Sequence, residues 1–471
     1  MKRPQVVILG AGPAGLGAAY HLARRRIADV TVIEQNPHPG GNAGSFEIDG
    51  IRVDYGSHRL HPACDAEVLS DIRTLLGDDL LERPRHGRIR MQGRWIHFPL
   101  RFLDLALRLP PSFVAGVISD RLHKLFGSSS NAPPSFASVL ESGLGSTICR
   151  DFYFPYARKL WGVSPEELAA VQAHRRVSAS SLTRMLWKVL STVPGLRSPG
   201  DGYFFYPRNG YGQISDAFYE AAKREGAKIE FQSRVESVVI EQQKVRSVTC
   251  RKEGTIHEIE AGNVLSTIPL NVLIRCASAP SGILDAASQI RFRGMILTYL
   301  VLEQDRFTEY DAHYFPEPEV AISRLSEPKI FSAGNGPPGV TVICAELPCD
   351  VDGPYWKQSD EELGNMVVQS LSNAGIPVQA KIHRVLTRRL PNAYPVYYQG
   401  YEHAFEALDH WCGGIDGLLT FGRQGLFVHD NTHHALLMGY AVSKCLADNG
   451  EFDRIRWSEY RKLFESHVVE D

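Results

Sequence analysis

The sequence has no long hydrophobic run and no leader-like start. No apolar stretch among its 471 residues reaches the roughly 18 residues that a transmembrane helix requires. The first predicted strand begins by Gln5, which leaves no room for a signal peptide. Together these absences predict a soluble, cytoplasmic protein without stable membrane insertion.

Cysteine is scarce, and its eight residues are scattered. The closest pair, Cys344 and Cys349, lacks the spacing of a CxxC motif and has no pair of histidines near it. The sequence therefore predicts neither a zinc site nor a disulfide framework, and no metal is expected. Such cysteine usage suits a reducing compartment.

An excess of charge of one sign is lacking as well. The formal net charge is −2, so no global field selects nucleic acid or an anionic membrane as a partner. With 44% hydrophobic and 22% charged residues, the composition is typical of a soluble globular protein. A chain of this length has room for about two to three domains.

One apolar segment, residues 98–126, has the pattern of an amphipathic helical pair broken by prolines. Such a pair forms a lid, lies on a membrane surface, or packs against the substrate domain. Its charges are few and of mixed sign, which favours packing, because an interfacial helix usually presents a basic face.

The start of the chain combines a strand, a glycine turn and a helix. The apolar strand ends at Leu9, and Gly10, Gly12 and Gly15 follow before an Ala-rich helical stretch. Gly10 would permit the sharp turn, Gly12 the approach of a pyrophosphate, and Gly15 close packing of helix on strand. Unpaired N–H groups at the helix start would bind the diphosphate.

A second strand, Val30 to Ile33, ends in Glu34 about 20 residues past the glycines, where an acid holds a ribose hydroxyl. Strand, turn, helix, strand and acid together predict a dinucleotide site. The segment GNGPPG, residues 334–339, has the same glycine spacing, but two prolines interrupt it and a strand-like VTVI follows. We interpret that segment as a loop or hairpin turn.

The rest of the chain alternates in character. Residues 61–200 are mostly helical, with further helices predicted at 65–76, 135–143, 146–160, 164–173 and 179–191. The stretch RIRMQGRWIHF, residues 88–98, predicts a hairpin whose arginines form a solvated face rather than an anion clamp. Later elements are a helix at 213–224, strands within 228–252 and at 263–269, a strand-rich segment at 285–405 with one helix near 359–374, and a last strand, glycine turn and helix.

These elements predict an α/β fold in which cofactor-like segments occur at the beginning, middle and end of the chain. A Rossmann-like, dinucleotide-binding domain, which the resemblance given next makes an FAD-binding domain, would be assembled from discontinuous segments, with an α+β substrate domain and a helical insertion. The cofactor segments are 1–60, 203–270 and 410–450; the insertions are a mainly helical substrate or lid domain, 61–202, and a strand-rich substrate domain, 271–409; a C-terminal helix lies in 451–471.

The assignment of FAD comes from motifs that resemble one family and span nearly the whole chain. They are PGGNAGSFEIDGIRVDYGSHRLH (39–61), FYFPYARKLWGVSPEEL (152–168), YPRNGYGQI (206–214), SRVESV (233–238) and FGRQGLFVHDNTHHALLMG (421–439). In this order they resemble UDP-galactopyranose mutase and its relatives in the protoporphyrinogen oxidase and amine oxidase superfamily. The resemblance implies FAD, and NAD has no second site to occupy.

The glycine turn and the resemblance together imply a set of cofactor contacts. Val235 falls where the family contacts adenine, and Arg423 would lie beside the flavin or its phosphate. A helix that starts around Asn431 to His434 would point its N-terminus at the N1/O2 edge of the flavin and stabilise the anionic reduced form. The full cofactor-binding set is Gly10, Gly12, Ala14, Gly15, Glu34, Gly41, Asn42, Ser57, His58, Val235, Gly422, Arg423, Asn431, Thr432 and His433.

The mutase resemblance also implies a reaction and its residues. Reduced flavin N5 would attack the anomeric carbon of a nucleotide-linked sugar and expel the nucleoside diphosphate, and the sugar ring would reopen and reclose at another size. Arginine suits the diphosphate because its donor fork grips phosphate oxygens bidentately. The candidates are Arg175 and Arg293 for the diphosphate, Trp161 and Tyr156 for the substrate wall, Tyr394 near the diphosphate, and His58 and His429 near the flavin.

Two departures from the mutase pattern keep a second class open. The family usually has tyrosine at the position of His429 and an acidic residue at that of His433. An FAD-dependent oxidase or dehydrogenase that removes a hydride from a small or apolar metabolite would need a dry aromatic tunnel and few cations. A non-catalytic flavoprotein is a third class, but no eroded glycine motif supports it. Expected partners are a small-molecule substrate and a nicotinamide or other reductant, with homo-oligomerisation left open.

Overall fold

The computed structural model describes residues 3–99, 107–126, 134–176, 202–334 and 336–469. Strands and helices alternate through these ranges, and the architecture is mixed α/β, as expected from the sequence. The strands are β1 Gln5–Leu9, β2 Asp29–Ile33, β3 Ser45–Ile48, β4 Ile51–Asp54, β5 Leu80–Pro84, β6 Gly87–Met91, β7 Arg94–Phe98, β8 Tyr203–Pro207, β9 Lys228–Glu230, β10 Ser233–Glu241, β11 Lys244–Lys252, β12 Thr255–Glu260, β13 Asn263–Ser266, β14 Arg291–Leu302, β15 Ala312–Tyr314, β16 Arg324–Ser326, β17 Thr341–Cys349, β18 Ile382–Val396 and β19 Leu418–Thr420.

The helices surround these strands, and among the described residues none is both long and apolar enough to span a bilayer. A π-helical turn, Cys149–Tyr153, joins two of them. The helices are α1 Pro13–Arg25, α2 Ala66–Leu76, α3 Pro111–Phe126, α4 Phe136–Leu144, α5 Ser146–Ile148, α6 Phe154–Trp161, α7 Ala170–Arg176, α8 Gln213–Arg224, α9 Leu270–Cys276, α10 Ser281–Gln289, α11 Pro328–Phe331, α12 Asp360–Asn373, α13 Tyr401–Gly413, α14 Gly422–Gly425, α15 Thr432–Cys445 and α16 Arg454–Glu465.

The first sheet is parallel and draws on distant parts of the sequence. Its order is β19-β13-β1-β2-β9, with β1 paired to both β2 and β13. Because side chains alternate along a strand, Val6 and Ile8 pack into one hydrophobic core with α1, while Val7 and Leu9 pack into a second core on the other face. Burial on both faces explains why β1 is a continuous apolar run.

The second large sheet is mixed and has seven strands, in the order β18-β14-β17-β16-β15-β6-β7. The long strands β14 and β18 pair antiparallel, which sets Arg293 opposite Tyr394. Smaller sheets complete the fold: the hairpin β3-β4, the pair β5-β8, and the antiparallel sheet β10-β11-β12. The sheet edge at β18 and the turn after β1 therefore approach the same cavity, described below.

Most elements predicted from sequence are confirmed. The hairpin at 88–98 is β6 and β7, and the helices predicted at 65–76, 213–224 and 359–374 are α2, α8 and α12. The helix predicted at 146–160 is present, with the π-helical turn inside it. GNGPPG is a turn between α11 and β17, apart from residue 335, which lies outside the described ranges.

The helix predicted at 164–173 is wrong in its first half. Residues 164–169 form turns and bridges, and α7 begins only at Ala170. The cause is backbone pairing with distant segments: Leu168 O accepts from Phe136 N at 2.9 Å, and Ala169 N donates to Tyr397 O at 2.7 Å. The helix predicted at 179–191 and the first member of the pair in 98–126 lie mostly outside the described residues.

The arginines of the β6-β7 hairpin also correct an expectation. Arg88 donates to His313 Nδ1 at 2.9 Å and lies over the ring of Trp95, and Arg90 pairs with Glu317. Two of these arginines therefore anchor the hairpin against the rest of the seven-stranded sheet instead of forming a solvated face. Sequence alternation located the hairpin but could not show what its second face would contact.

Candidate functional site

A cavity of about 330 Å³ connects the glycine turn after β1 to the sheet edge at β18. It collects residues from four of the five motif segments; SRVESV, residues 233–238, contributes none. The sequence-predicted site residues that line it are Gly10, Gly12, Ala14, Glu34, Gly41, Asn42, Ser57, His58, Tyr156, Tyr394, Arg423, His429, Asn431 and Thr432.

One end of the cavity is built by the glycine turn. Gly10 has φ +100° and donates its N–H to Ile33 O at 2.8 Å, which joins the turn to β2. A Cβ on Gly15 would lie 2.0 Å from Gly10 O, so only glycine allows α1 to begin so close to the turn. Gly12 caps α1 and Pro13 occupies its first turn, which directs the positive end of the helix dipole at the cavity.

Glu34 closes the same end. Its side chain is buried, with Oε2 accepting from Ala11 N and Oε1 from Asn36 N, both at 2.8 Å. A carboxylate has two lone pairs on each oxygen, so these bonds fix its direction and leave acceptor capacity for a ligand hydroxyl.

The middle of the cavity is shaped by the loop after β2 and the segment after β4. His58 Nε2 is 2.9 Å from Asn42 O and 3.0 Å from Tyr55 O. Carbonyl oxygens only accept, so Nε2 carries a proton and Nδ1 is the position that can gain or lose one. Burial lowers the pKa of His58, which favours the neutral ring.

The start of α15 supplies another wall. Asn431 caps this helix, and its N–H donates to His434 Nδ1 at 3.3 Å. Arg423, on α14, donates to Ala393 O at 2.6 Å, and its guanidinium lies 5.5 Å from the ring centre of Tyr394. The Tyr394 ring is in turn 4.9 Å from that of His429.

The cavity lining also contains an ion pair that the sequence analysis missed. Arg324 and Glu346 line the cavity and form a two-pronged pair, with Nε to Oε1 and Nη2 to Oε2 both at 2.9 Å. Glu346 Oε1 also accepts from Ser57 N at 2.8 Å. The available signal was a lone carboxylate in the otherwise apolar strand TVICAELPC, since such a residue is rarely buried without a partner.

Other predicted residues lie behind the lining. Arg293 pairs with Asp350, and a Cβ on Gly162 would lie 2.4 Å from its Nη1, so the guanidinium packs beside the Trp-Gly motif. Arg175 is buried with its Nη1 3.5 Å from Asp430 Oδ1. The predicted residues outside the lining are Gly15, Trp161, Arg175, Val235, Arg293, Gly422 and His433.

Three of these residues are packed into protein interior. Trp161 contacts Phe136 edge to face at 5.5 Å between ring centres. Val235 packs against the second core, beneath the sheet, rather than at the cavity. His433 is buried next to His434, at 4.1 Å between ring centres.

A family model described as flavin containing amine oxidoreductase matches residues 13–420. That match covers most of the chain. The chain belongs to this family. The expected resemblance is thereby confirmed, and the protein is a flavoenzyme that uses FAD.

Individual members of the family and solved structures give further likenesses. dTDP-fucopyranose mutase from Escherichia coli is 26% identical over 221 residues, which cover 44% of this chain and 52% of that protein. Phytoene dehydrogenase from Streptomyces griseus is 55% identical over 80 residues, 17% of this chain and 15% of that one. The chain thus matches about half or less of the length of these curated relatives.

A crystal structure of reduced UDP-galactopyranose mutase superposes with a TM-score of 0.80. It is 19% identical, and the match covers 94% of each chain. At that identity the likeness shows a shared fold, whereas substrate and reaction have to be argued from the site itself.

The cavity of this amine oxidoreductase family member fits FAD. Its glycine end offers the helix start and the Glu34 carboxylate that a dinucleotide requires. Within the described ranges, Ser57 Oγ and Gln424 Oε1 are buried polar atoms with no hydrogen-bond partner in the protein. Buried polar atoms are normally satisfied, so these two residues, both in the lining, have capacity for a ligand.

Proposed function

We propose that this flavoenzyme interconverts ring forms of a nucleoside diphosphate sugar without net oxidation, with FAD in its reduced state. The observation that supports this is the polar, charged part of the cavity lining. Arg324, Glu346 and His429 form it together with Arg423. Removing a hydride from an apolar metabolite calls for a dry aromatic tunnel, and this lining is unlike one.

The arginine side chains in and behind the cavity lining suit the binding of a nucleoside diphosphate. Arg423 is held by the carbonyl of Ala393 and reaches the cavity over the ring of Tyr394. Arg324 is oriented by Glu346, which also compensates its charge, so Arg423 is the stronger candidate for gripping an anion. Arg175 contributes from behind the lining, where its Nη1 lies 3.5 Å from Asp430 Oδ1.

Aromatic and imidazole groups would receive the base and the sugar. Tyr156 and Tyr394 line the cavity and offer faces and hydroxyls. Reduced FAD supplies a nucleophilic ring nitrogen to such a reaction. His58, with its proton fixed at Nε2, orients the loop around Asn42, and its Nδ1 can accept a proton from a substrate hydroxyl.

The names of the similar proteins also support a nucleotide-linked sugar as the substrate. dTDP-fucopyranose mutase and UDP-galactopyranose mutase are named for nucleotide-linked sugars. The second candidate, FAD-dependent oxidation of a small or apolar metabolite, is favoured by the short, 55% identical match to phytoene dehydrogenase. The two candidates differ in whether electrons leave the enzyme at each turnover.

The deciding experiment titrates UDP and dTDP into oxidised and dithionite-reduced protein while the flavin spectrum is recorded. Arg423→Ala should weaken UDP binding by at least about tenfold, since a charged hydrogen bond contributes roughly 1.5–3 kcal/mol. Arg384→Ala, which removes an exposed arginine paired with Asp49, is the control and should leave binding unchanged. Oxygen uptake with a non-sugar substrate, together with no response to either nucleotide, would favour the oxidase instead.

A further inference from the structure

Asp430 lies in the cavity lining directly before α15, and its carboxylate is fully buried between two basic residues. Its Oδ1 is 3.5 Å from Arg175 Nη1. Its Oδ2 is 3.0 Å from His467 Nδ1. A carboxylate only accepts at neutral pH, so His467 donates Nδ1–H to it.

His467 belongs to the segment that follows α16, and this segment is fixed at the cavity in a second place. Val469 donates its N–H to Arg175 O at 2.8 Å. Val469 also lines the cavity. The segment therefore contacts both members of the Arg175–Asp430 pair, one through a side chain and one through the backbone.

The same imidazole packs against the helix that borders the cavity. The rings of His434 and His467 stack at 4.0 Å with an angle of 13°. Burial lowers the pKa of His434, so its ring is neutral and stacks without charge repulsion. Because His434 Nδ1 accepts from Asn431 N, the stack fixes His467 relative to the start of α15.

The distance between the Asp430 carboxylate and the Arg175 guanidinium is longer than that of a closed ion pair. An unrestrained arginine and carboxylate form a two-pronged pair at about 2.7–2.9 Å. Here one carboxylate oxygen is engaged by His467, and the other is left at 3.5 Å from the guanidinium. The pair is thus held short of closure.

We propose that His467 is a positioning residue of the active site, which engages Asp430 so that the charge of Arg175, behind the lining, is not fully compensated and attracts an anionic group of the substrate in the cavity. The inference rests on the proposed function, in which that group is a nucleoside diphosphate. Without His467, Asp430 turns fully toward Arg175 and neutralises it. His467 itself lies outside the lining and acts only through Asp430.

A metal site at Asp430, His434 and His467 is the competing interpretation, since one ligand atom from each lies within 4.8 Å of the others. The ring geometry opposes it. Imidazole lone pairs lie in the ring plane, and two rings stacked at 13° point them in parallel rather than at one ion. The Arg175 guanidinium beside Asp430 adds repulsion toward a cation.

The test is a double-mutant cycle on the holoenzyme, with UDP affinity measured by calorimetry. His467→Ala should raise the Kd for UDP about tenfold, and His467→Asn, whose amide nitrogen replaces Nδ1, should restore it. His410→Ala removes an exposed histidine on α13 and serves as the control. In the Asp430→Asn background the carboxylate is gone, so His467→Ala should leave the Kd unchanged.

Each outcome of this experiment supports or overturns one of the interpretations. A Kd that rises equally in both backgrounds would show that His467 only supports the fold, and an unchanged Kd in His467→Ala would equally overturn the inference while leaving the proposed function intact. A wild-type protein that does not bind UDP would overturn the proposed function and this role with it. Zn²⁺ binding that disappears in His467→Ala would establish the metal site instead.

Discussion

Lys159 is enclosed by four backbone carbonyl oxygens. Its ammonium, on α6, lies 2.5–3.2 Å from the oxygens of Phe315, Glu317, Val320 and Ile322. These contacts fasten the helix that carries Tyr156 to the loop between β15 and β16. Burial lowers the pKa of Lys159 to about 7.

The lowered pKa of Lys159 predicts how the free energy of unfolding changes with pH. Because burial lowers the pKa of Lys159, the folded protein gives up this proton at lower pH than the unfolded chain does, so the free energy of unfolding should rise with pH between about 7 and 10, by at most about 1.4 kcal/mol per pH unit. Lys159→Met should lack this increment, and Lys228→Met, at an exposed position, should retain it. Urea denaturation across this pH range measures the difference; parallel curves for wild type and Lys159→Met would refute it.

The buried pair of Arg324 and Glu346 gives a second prediction for single residues. Glu346→Gln leaves Arg324 without its counter-charge, and Ser57 N can keep its acceptor. Breaking one partner of a buried ion pair costs about 3–5 kcal/mol, which should appear in urea denaturation. Glu241→Gln, in an exposed pair with Arg246, should change stability by less than about 0.5 kcal/mol. Equal effects of the two substitutions would contradict the burial argument.

At the scale of elements, α1 and α15 approach each other through small residues. A Cβ on Gly439 would lie 2.4 Å from Ala14 O and 2.7 Å from Ala18 N. Gly439→Val should force the helices apart, costing about 1–3 kcal/mol or more and weakening FAD retention, because both helix starts border the cavity. Thermal melting and flavin content after gel filtration report the two effects.

The control for that substitution is Gly282→Ala. Gly282 lies in α10 with nothing within 4 Å of an added Cβ, and alanine favours helix by up to about 1 kcal/mol. Its melting temperature should therefore stay the same or rise. A fall in both variants would contradict the close-packing explanation, because Gly282→Ala introduces no close contact.

The local sequence pattern correctly predicted the first strand, the glycine turn that follows it and the start of the last long helix at the cavity. The run from Val6 to Leu9, the glycine turn and the capped start at Asn431 are each encoded within a few residues, and each is present. The bend at 164–169 was missed because Leu168 and Ala169 pair with strands and loops that are distant in sequence. Periodicity carries no information about such partners.

The candidate site was predicted less completely than the fold for the same reason. Glycines and Glu34 could be located because their spacing along the chain is itself the signal. Arg324 and Glu346 face the cavity only because β16 pairs with β17, and no nearby residue marks that pairing. The placement of Arg175 behind Asp430 likewise depends on a contact across 255 residues.

The whole molecule should be stabilised by its cofactor. The cavity that fits FAD is lined by segments from the beginning, middle and end of the chain, so FAD should bind only the assembled fold. Each tenfold increase of unbound FAD above its Kd should add about 1.4 kcal/mol to stability, seen as a rising Tm of apoprotein. FMN lacks the adenylate half that the Glu34 end would receive, and it should stabilise less; an equal effect would place the binding elsewhere.

The strand order β19-β13-β1-β2-β9 has a consequence for synthesis on the ribosome. At about 5–20 residues per second, Leu418 is added roughly 8 to 30 s after Ser266, the last residue of β13. Throughout that interval the apolar β13 has no outer neighbour, and an open strand edge invites pairing with other chains. Expression slowed by cold or helped by co-produced chaperones should therefore raise the soluble yield.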